Sequence, residues 1–166
     1  MKNKKVLFLT QAAMIGALYV ILTHLAALLG LSSGAIQVRI SEALTILPAF
    51  TPAAIPGLFI GCILANATTG CHIYDILFGS IATLIGAIGT YALRNQKFKF
   101  LMPLPPILAN MLIVPFIILY VYPSPENLGL PFLVLTVGIG EIITCGVLGM
   151  LLYVPLHKNR DRIFQN

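Results

Sequence analysis

Six apolar stretches follow one another along this chain with only short breaks, and that succession leaves few folds open to it. They run from Val6 to Leu29, Ala35 to Leu47, Pro52 to Thr68, Ile73 to Leu93, Pro105 to Tyr122 and Leu130 to Pro155. A helix needs about 20 mostly apolar residues to cross roughly 30 Å of hydrocarbon. Of the 166 residues, 58% are hydrophobic and 9% charged, with a mean hydropathy of +0.97. Soluble domains carry roughly a quarter charged residues, so a soluble globule cannot hide this much apolar surface. The sequence predicts one all-α domain over residues 1–166, an integral membrane bundle of six transmembrane helices.

Turn chemistry marks the breaks: Ser32-Ser33-Gly34, the prolines Pro48 and Pro52, Thr69-Gly70, the run from Arg94 to Lys99, and Pro123-Ser124-Pro125. Thr51-Pro52 reads as a helix cap and first turn. The second stretch is the shortest. About 13 helical residues cover only about 20 Å, so it is expected to be short, tilted or shielded by its neighbours. The first stretch is longer than a signal peptide's core and is read as a retained helix.

The net charge of +5 sits in three clusters at the ends of apolar stretches: Lys2, Lys4 and Lys5; Arg94, Lys97 and Lys99; and Lys158, Arg160 and Arg162. Basic residues gathered on one face would suggest nucleic acid, and these are not. Positive residues near span ends stay cytoplasmic. Six spans put all three clusters on that side, with both termini cytoplasmic in a multi-pass protein of the cell membrane. Cys62, Cys71 and Cys145 form no disulfide framework. Cys71 and His72 lack further ligands for zinc, so no metal or cofactor is expected.

Arg39, Glu42, Asp75 and Glu141 lie inside or beside apolar stretches, where each charge costs about 2.5 to 3.5 kcal/mol at a helix centre. The six-span arrangement brings Arg39, Glu42, Asn66 and Asp75 near the outer ends of their helices, with Glu141 as the floor of a common pocket. Arg39 and Glu42, three residues apart, either neutralise each other or touch a substrate. Asp75 either caps its helix or lines the pocket. Glu141 lies deep in a helix, as a ligand group or a protonated structural acid. Asn66 is a ligand candidate by its depth, whereas Asn110 suits helix–helix bonding or the ligand. Tyr74, Phe78 and Tyr19 either stack on a planar ligand or serve as anchors and packing.

Small residues recur every three or four positions: Gly57, Gly61 and Ala65; Gly79, Ala82, Gly86 and Gly89; and Ala12, Ala13, Gly16 and Ala17 in the first stretch. Such stripes allow helix backbones to approach closely. The stripe on the first helix packs internally or receives a partner subunit.

The run Val38-Arg39-Ile40-Ser41-Glu42-Ala43-Leu44-Thr45, then Ala53-Ala54-Ile55-Pro56-Gly57-Leu58 and Gly61-Cys62-Ile63-Leu64-Ala65-Asn66, resembles the QueT family. So do Asp75-Ile76-Leu77-Phe78-Gly79-Ser80-Ile81-Ala82-Thr83-Leu84 and Pro105-Pro106-Ile107-Leu108-Ala109-Asn110. The resemblance covers nearly the whole chain. It implies a substrate-specific S component of an energy-coupling factor (ECF) importer, an ABC-type transporter for queuine or a queuosine precursor. It also implies a membrane coupling subunit and two ATPase subunits as partners. Ala13 and Ala17, or alternatively Ala12 and Gly16, would meet the coupling subunit. The chain itself has no G-x-x-x-x-G-K-[ST] phosphate loop, so ATP hydrolysis is assigned to partners and no enzyme activity is expected. A 7-deazaguanine offers adjacent N–H donors and a carbonyl, which a carboxylate and Arg or Asn can match. The competing expectations are a proton-coupled transporter using Glu141 or Asp75, and an S component for another vitamin-like substrate.

Overall fold

The computed structural model describes residues 3–31, 38–122 and 129–164. The breaks predicted at Ser32-Ser33-Gly34 and Pro123-Ser124-Pro125, together with Lys2 and the Arg162 side chain, lie outside the described residues. Among those described, every regular element is helical and there is no strand. Helix α1 spans Lys4–Leu28, and a 3₁₀ rod spans Ile40–Ala49. Helix α2 (Ala54–Thr68) is followed by a π turn, Asp75–Gly79, which leads into α3 (Ser80–Ala92). Helix α4 spans Leu104–Val121. The last pass is α5 (Leu130–Glu141), a π segment (Ile142–Leu148) and α6 (Gly149–Lys158), and a short α7 (Arg160–Ile163) follows it. These make the six helical passes expected. The α1, Asp75–Asn95, Lys99–Val121 and Leu130–Lys158 passes are long and apolar enough to cross a membrane, whereas the rod and α2 are shorter.

Polarity is arranged for lipid. Leu9, Met14, Leu112, Leu135 and Leu151 are exposed, while Glu42, Asn66, Asp75, Asn110 and Glu141 are buried. The rod runs through the centre, touching α1, α2, α3, α6 and the second π segment, and Ser41 to Pro48 are all buried. Its 3₁₀ geometry explains how a short stretch reaches so far, because ten residues at about 2.0 Å rise cover about 20 Å. Pro48 favours this departure from an α-helix, since its ring has no N–H and would clash with the carbonyl four residues back. The Thr45 hydroxyl supports the tight winding by donating to the Glu42 carbonyl at 2.6 Å. Three residues per turn place Arg39, Glu42 and Thr45 in one row.

At the rod's lower end the chain turns at Phe50, and Thr51 Oγ1 accepts the Ala53 N–H at 3.3 Å. The cap and first turn expected at Thr51-Pro52 are displaced: these residues form a turn ahead of the helix, and α2 begins at Ala54 with Ala53 as its N-cap and no side-chain cap. The Thr51 hydroxyl also donates to Gln11 of α1 at 2.8 Å, and Phe50 stacks on Phe164 at 5.2 Å. Both described chain ends therefore lie at this end of the bundle. Helix α3 begins beside Asn66 at the opposite end, so Arg94 and Lys99 return to the end that carries the other basic clusters. Gly70, at φ +75°, makes the turn predicted at Thr69-Gly70.

Close crossings fix the helix pairs. A Cβ on Gly61 would lie 2.9 Å from the Gly16 backbone, and one on Gly57 would lie 2.6 Å from the Ala12 carbonyl oxygen. A Cβ on Gly86 would come within 2.6 Å of Pro106 Cα. Gly16 is thus spent on the α1–α2 crossing, as is the backbone of Ala12, while Ala13 and Ala17 face outward. Replacing Gly61 by leucine overpacks this crossing, a change that typically destabilises by about 1–3 kcal/mol. Gly61→Leu is expected to lower the melting temperature of the purified protein in detergent. Ala67→Leu, on the exposed side of α2, is expected to leave it unchanged.

Candidate functional site

Glu42 anchors the interior. It is 1% exposed, and its Oε1 accepts hydrogen bonds from the Tyr19 hydroxyl of α1 and, at 3.4 Å, from the Thr83 hydroxyl of α3. Its other oxygen, Oε2, is enclosed without a hydrogen-bond partner. Of the two roles open to Arg39, a direct ion pair with Glu42 is not made: among the described residues the contact between them is the Glu42 N–H donating to the Arg39 backbone carbonyl at 2.9 Å. Its guanidinium instead faces two cavities.

The outer cavity, about 320 Å³, lies at the end of the bundle away from the basic clusters. Its volume falls at the lower end of the roughly 300–1,000 Å³ usual for small-molecule sites. Arg39 enters it from the start of the rod, Asn66 and Thr69 from the end of α2, and Asp75 from the π turn; Thr23 of α1 and Tyr122 complete its polar wall. Asp75 begins a π turn, whose wider winding often marks functional positions in helices. Its carboxylate accepts the Tyr122 hydroxyl, and the same phenol oxygen accepts the His72 N–H at 3.1 Å. Asp75 therefore lines the cavity, the second of the two roles open to it. The Asn66 amide donates to the Asp75 carbonyl at 3.2 Å, which ties α2 to the π turn.

Below this lies a small pocket of about 10 Å³ lined by Arg39, Asn110, Val114, Val137 and Glu141. Arg39 and Val114 border both spaces, whereas Glu141, expected as the floor of a common pocket, borders only the smaller one and does not line the cavity that holds Asn66 and Asp75. Asn110 faces the smaller pocket and lies beside both Glu42 and Glu141. Glu141 Oε2 accepts the Cys145 thiol at 3.1 Å. One ligand atom each from Glu42, Glu141 and Cys145 lie within 4.8 Å of one another. The thiol is here a hydrogen-bond donor, whereas metal ligation uses the thiolate.

The aromatic candidates separate. Tyr19 is buried as a partner of Glu42, while Tyr74 and Phe78 are 50% and 45% exposed and stack on each other at 6.3 Å. They line an apolar groove with Phe116 and Tyr120 of α4 and do not reach the polar cavity. Cys71 and His72 also part, with Cys71 on the cavity wall and the His72 ring stacked against Tyr74. Sequence reasoning missed Tyr122, Thr23 and Thr83. Their hydroxyls lie at the right depth, but Tyr and Thr are too common in membrane helices to stand out alone.

Long apolar helices with exposed apolar side chains around a cavity that carries a few polar groups are the arrangement of a helical membrane protein. A family model described as "QueT transporter" matches residues 9–158, and the chain belongs to the QueT transporter family. It is similar to the "Queuosine precursor transporter QueT" of Lactococcus lactis subsp. cremoris (strain MG1363), with 35% identity over 85 residues. That match covers 51% of this chain and 50% of the relative, so it spans about half the length of the curated protein. No solved structure matches the chain.

Proposed function

We propose that this protein is the substrate-binding S component of an ECF-type importer, taking up a queuosine precursor or queuine as a 7-deazaguanine. The observation that carries this reading is the outer cavity, where one guanidinium, one carboxylate and one carboxamide meet in a chain of the QueT family. The Asp75 carboxylate suits the paired N–H donors of the base edge, and Arg39 or Asn66 suits its carbonyl. The printed name of the Lactococcus relative supports the same substrate class. The positive-inside rule puts the basic end in the cytoplasm and the cavity toward the outside. ATP hydrolysis belongs to two ATPase partners, and the chain itself performs no catalysis.

The coupling subunit docks on α1 at Ala13 and Ala17. These side chains are exposed and one turn apart, whereas Gly16 and the Ala12 backbone are already committed to α2. Small side chains let a partner helix come close.

Purified protein is expected to bind 7-deazaguanines by calorimetry and to ignore common vitamins; binding of a vitamin in preference to every deazaguanine would contradict the substrate assignment. The double variant Ala13→Trp, Ala17→Trp is expected to retain deazaguanine binding while losing copurification with the coupling subunit and losing uptake. Normal uptake by the folded variant would remove the docking face. Uptake by the wild type in the absence of any ATPase would favour the proton-coupled alternative.

A further inference from the structure

Tyr122 stands where α4 has ended, its backbone out of helical geometry at φ −115° and ψ 84°, and its side chain reaches across to the π turn. Its phenol oxygen accepts the His72 N–H at 3.1 Å, and its hydroxyl donates to Asp75 Oδ2. The direction of this relay is fixed. A backbone N–H can only donate and a phenol has one hydrogen, so with His72 donating to the oxygen, that hydrogen is turned to Asp75. The protein itself therefore holds the Asp75 carboxylate as an acceptor.

An aspartate's own torsion does not fix the plane of its carboxylate, because rotation about that terminal bond is broad rather than confined to staggered wells. Its partners set the plane instead. Asn66 of α2 holds the main chain of Asp75 through its carbonyl at 3.2 Å, and Tyr122 holds the carboxylate, so two walls of the outer cavity converge on one residue. Tyr122 takes one of about four lone-pair sites on the carboxylate. The remaining sites are left for a ligand in the cavity that Asp75 lines. Two parallel N–H···O bonds require the carboxylate and the donor edge to share a plane, whereas a single bond tolerates rotation.

We infer that Tyr122 is a positioning residue for the transported molecule: it orients the Asp75 carboxylate to receive two adjacent N–H donors, and so makes the outer cavity select rings that carry both of them. This rests on the proposed binding of 7-deazaguanines in that cavity. The effect of Tyr122 on the ring passes through Asp75.

Calorimetry on the purified full chain tests this with 7-deazaguanine and with 7-deazahypoxanthine, which lacks the exocyclic amine and so keeps one of the two donors. The wild type is expected to bind 7-deazaguanine about ten- to a hundredfold tighter, the equivalent of one charge-assisted hydrogen bond. Tyr122→Phe removes one oxygen and keeps the ring. It is expected to weaken 7-deazaguanine binding about fivefold or more while changing 7-deazahypoxanthine binding less, so that the preference shrinks. Equal weakening of both compounds would show a merely structural role and overturn the inference, as would an unchanged preference. Equal affinities of the two compounds for the wild type would overturn it without any variant having to fold. Failure of the wild type to bind either compound would overturn the underlying functional reading, and the inference with it.

Discussion

The burial of Glu42 is the constraint around which the bundle is organised. A carboxylate in the middle of a membrane protein must be supplied with donors, and those supplied come from two different helices, the Tyr19 hydroxyl of α1 and the Thr83 hydroxyl of α3. Glu42 also passes its backbone carbonyl to Thr45 and to the Cys145 thiol. A single residue of the central rod thus connects the first, fourth and sixth passes. The rod can carry it because a 3₁₀ segment is thin and places Arg39, Glu42 and Thr45 in one row, so the polar row faces its partners and the remaining side chains pack against apolar helices.

The polar interior and the glycine crossings serve one another. Helices α1 and α2 come close enough at Gly16, Gly57 and Gly61 that Tyr19 is carried into the core, and α3 and α4 close against each other where Gly86 meets Pro106. Both π segments begin at or next to a site carboxylate, Asp75 and Glu141. A π turn inserts a residue into the helical register and changes which side chain faces inward. Cavity and packing are therefore set by the same local departures from α-helical geometry.

Much of this was legible in the sequence because lipid simplifies the rules. Long apolar runs and three basic clusters gave six passes, and acids in apolar runs marked Glu42, Asp75 and Glu141 as interior. The charge pattern could not reveal that Arg39 stands apart from Glu42, since spacing of three suits both an ion pair and two separate roles. Nor could it reveal the 3₁₀ winding, for the hydrophobicity of Ile40–Ala49 is compatible with an α-helix and only Pro48 hints otherwise. Tyr74 and Phe78 looked suited to a planar ligand, yet the direction in which a helix faces depends on its packing, and theirs is toward the apolar groove. On α1, the choice between Ala12 with Gly16 and Ala13 with Ala17 was degenerate until the position of α2 separated a buried face from an open one.

The central claim, that the outer cavity receives the transported molecule, has a natural reporter. Cys71 lines that cavity and is only partly buried, whereas Cys62 and Cys145 are enclosed in the bundle. Alkylation of the purified protein by a small iodoacetamide reagent should modify Cys71 first, read by peptide mass spectrometry. A saturating 7-deazaguanine ligand should slow that modification sharply without changing the melting behaviour enough to expose Cys62 or Cys145. Alkylation of Cys71 at the same rate with and without a bound ligand would place the binding site elsewhere and contradict the account.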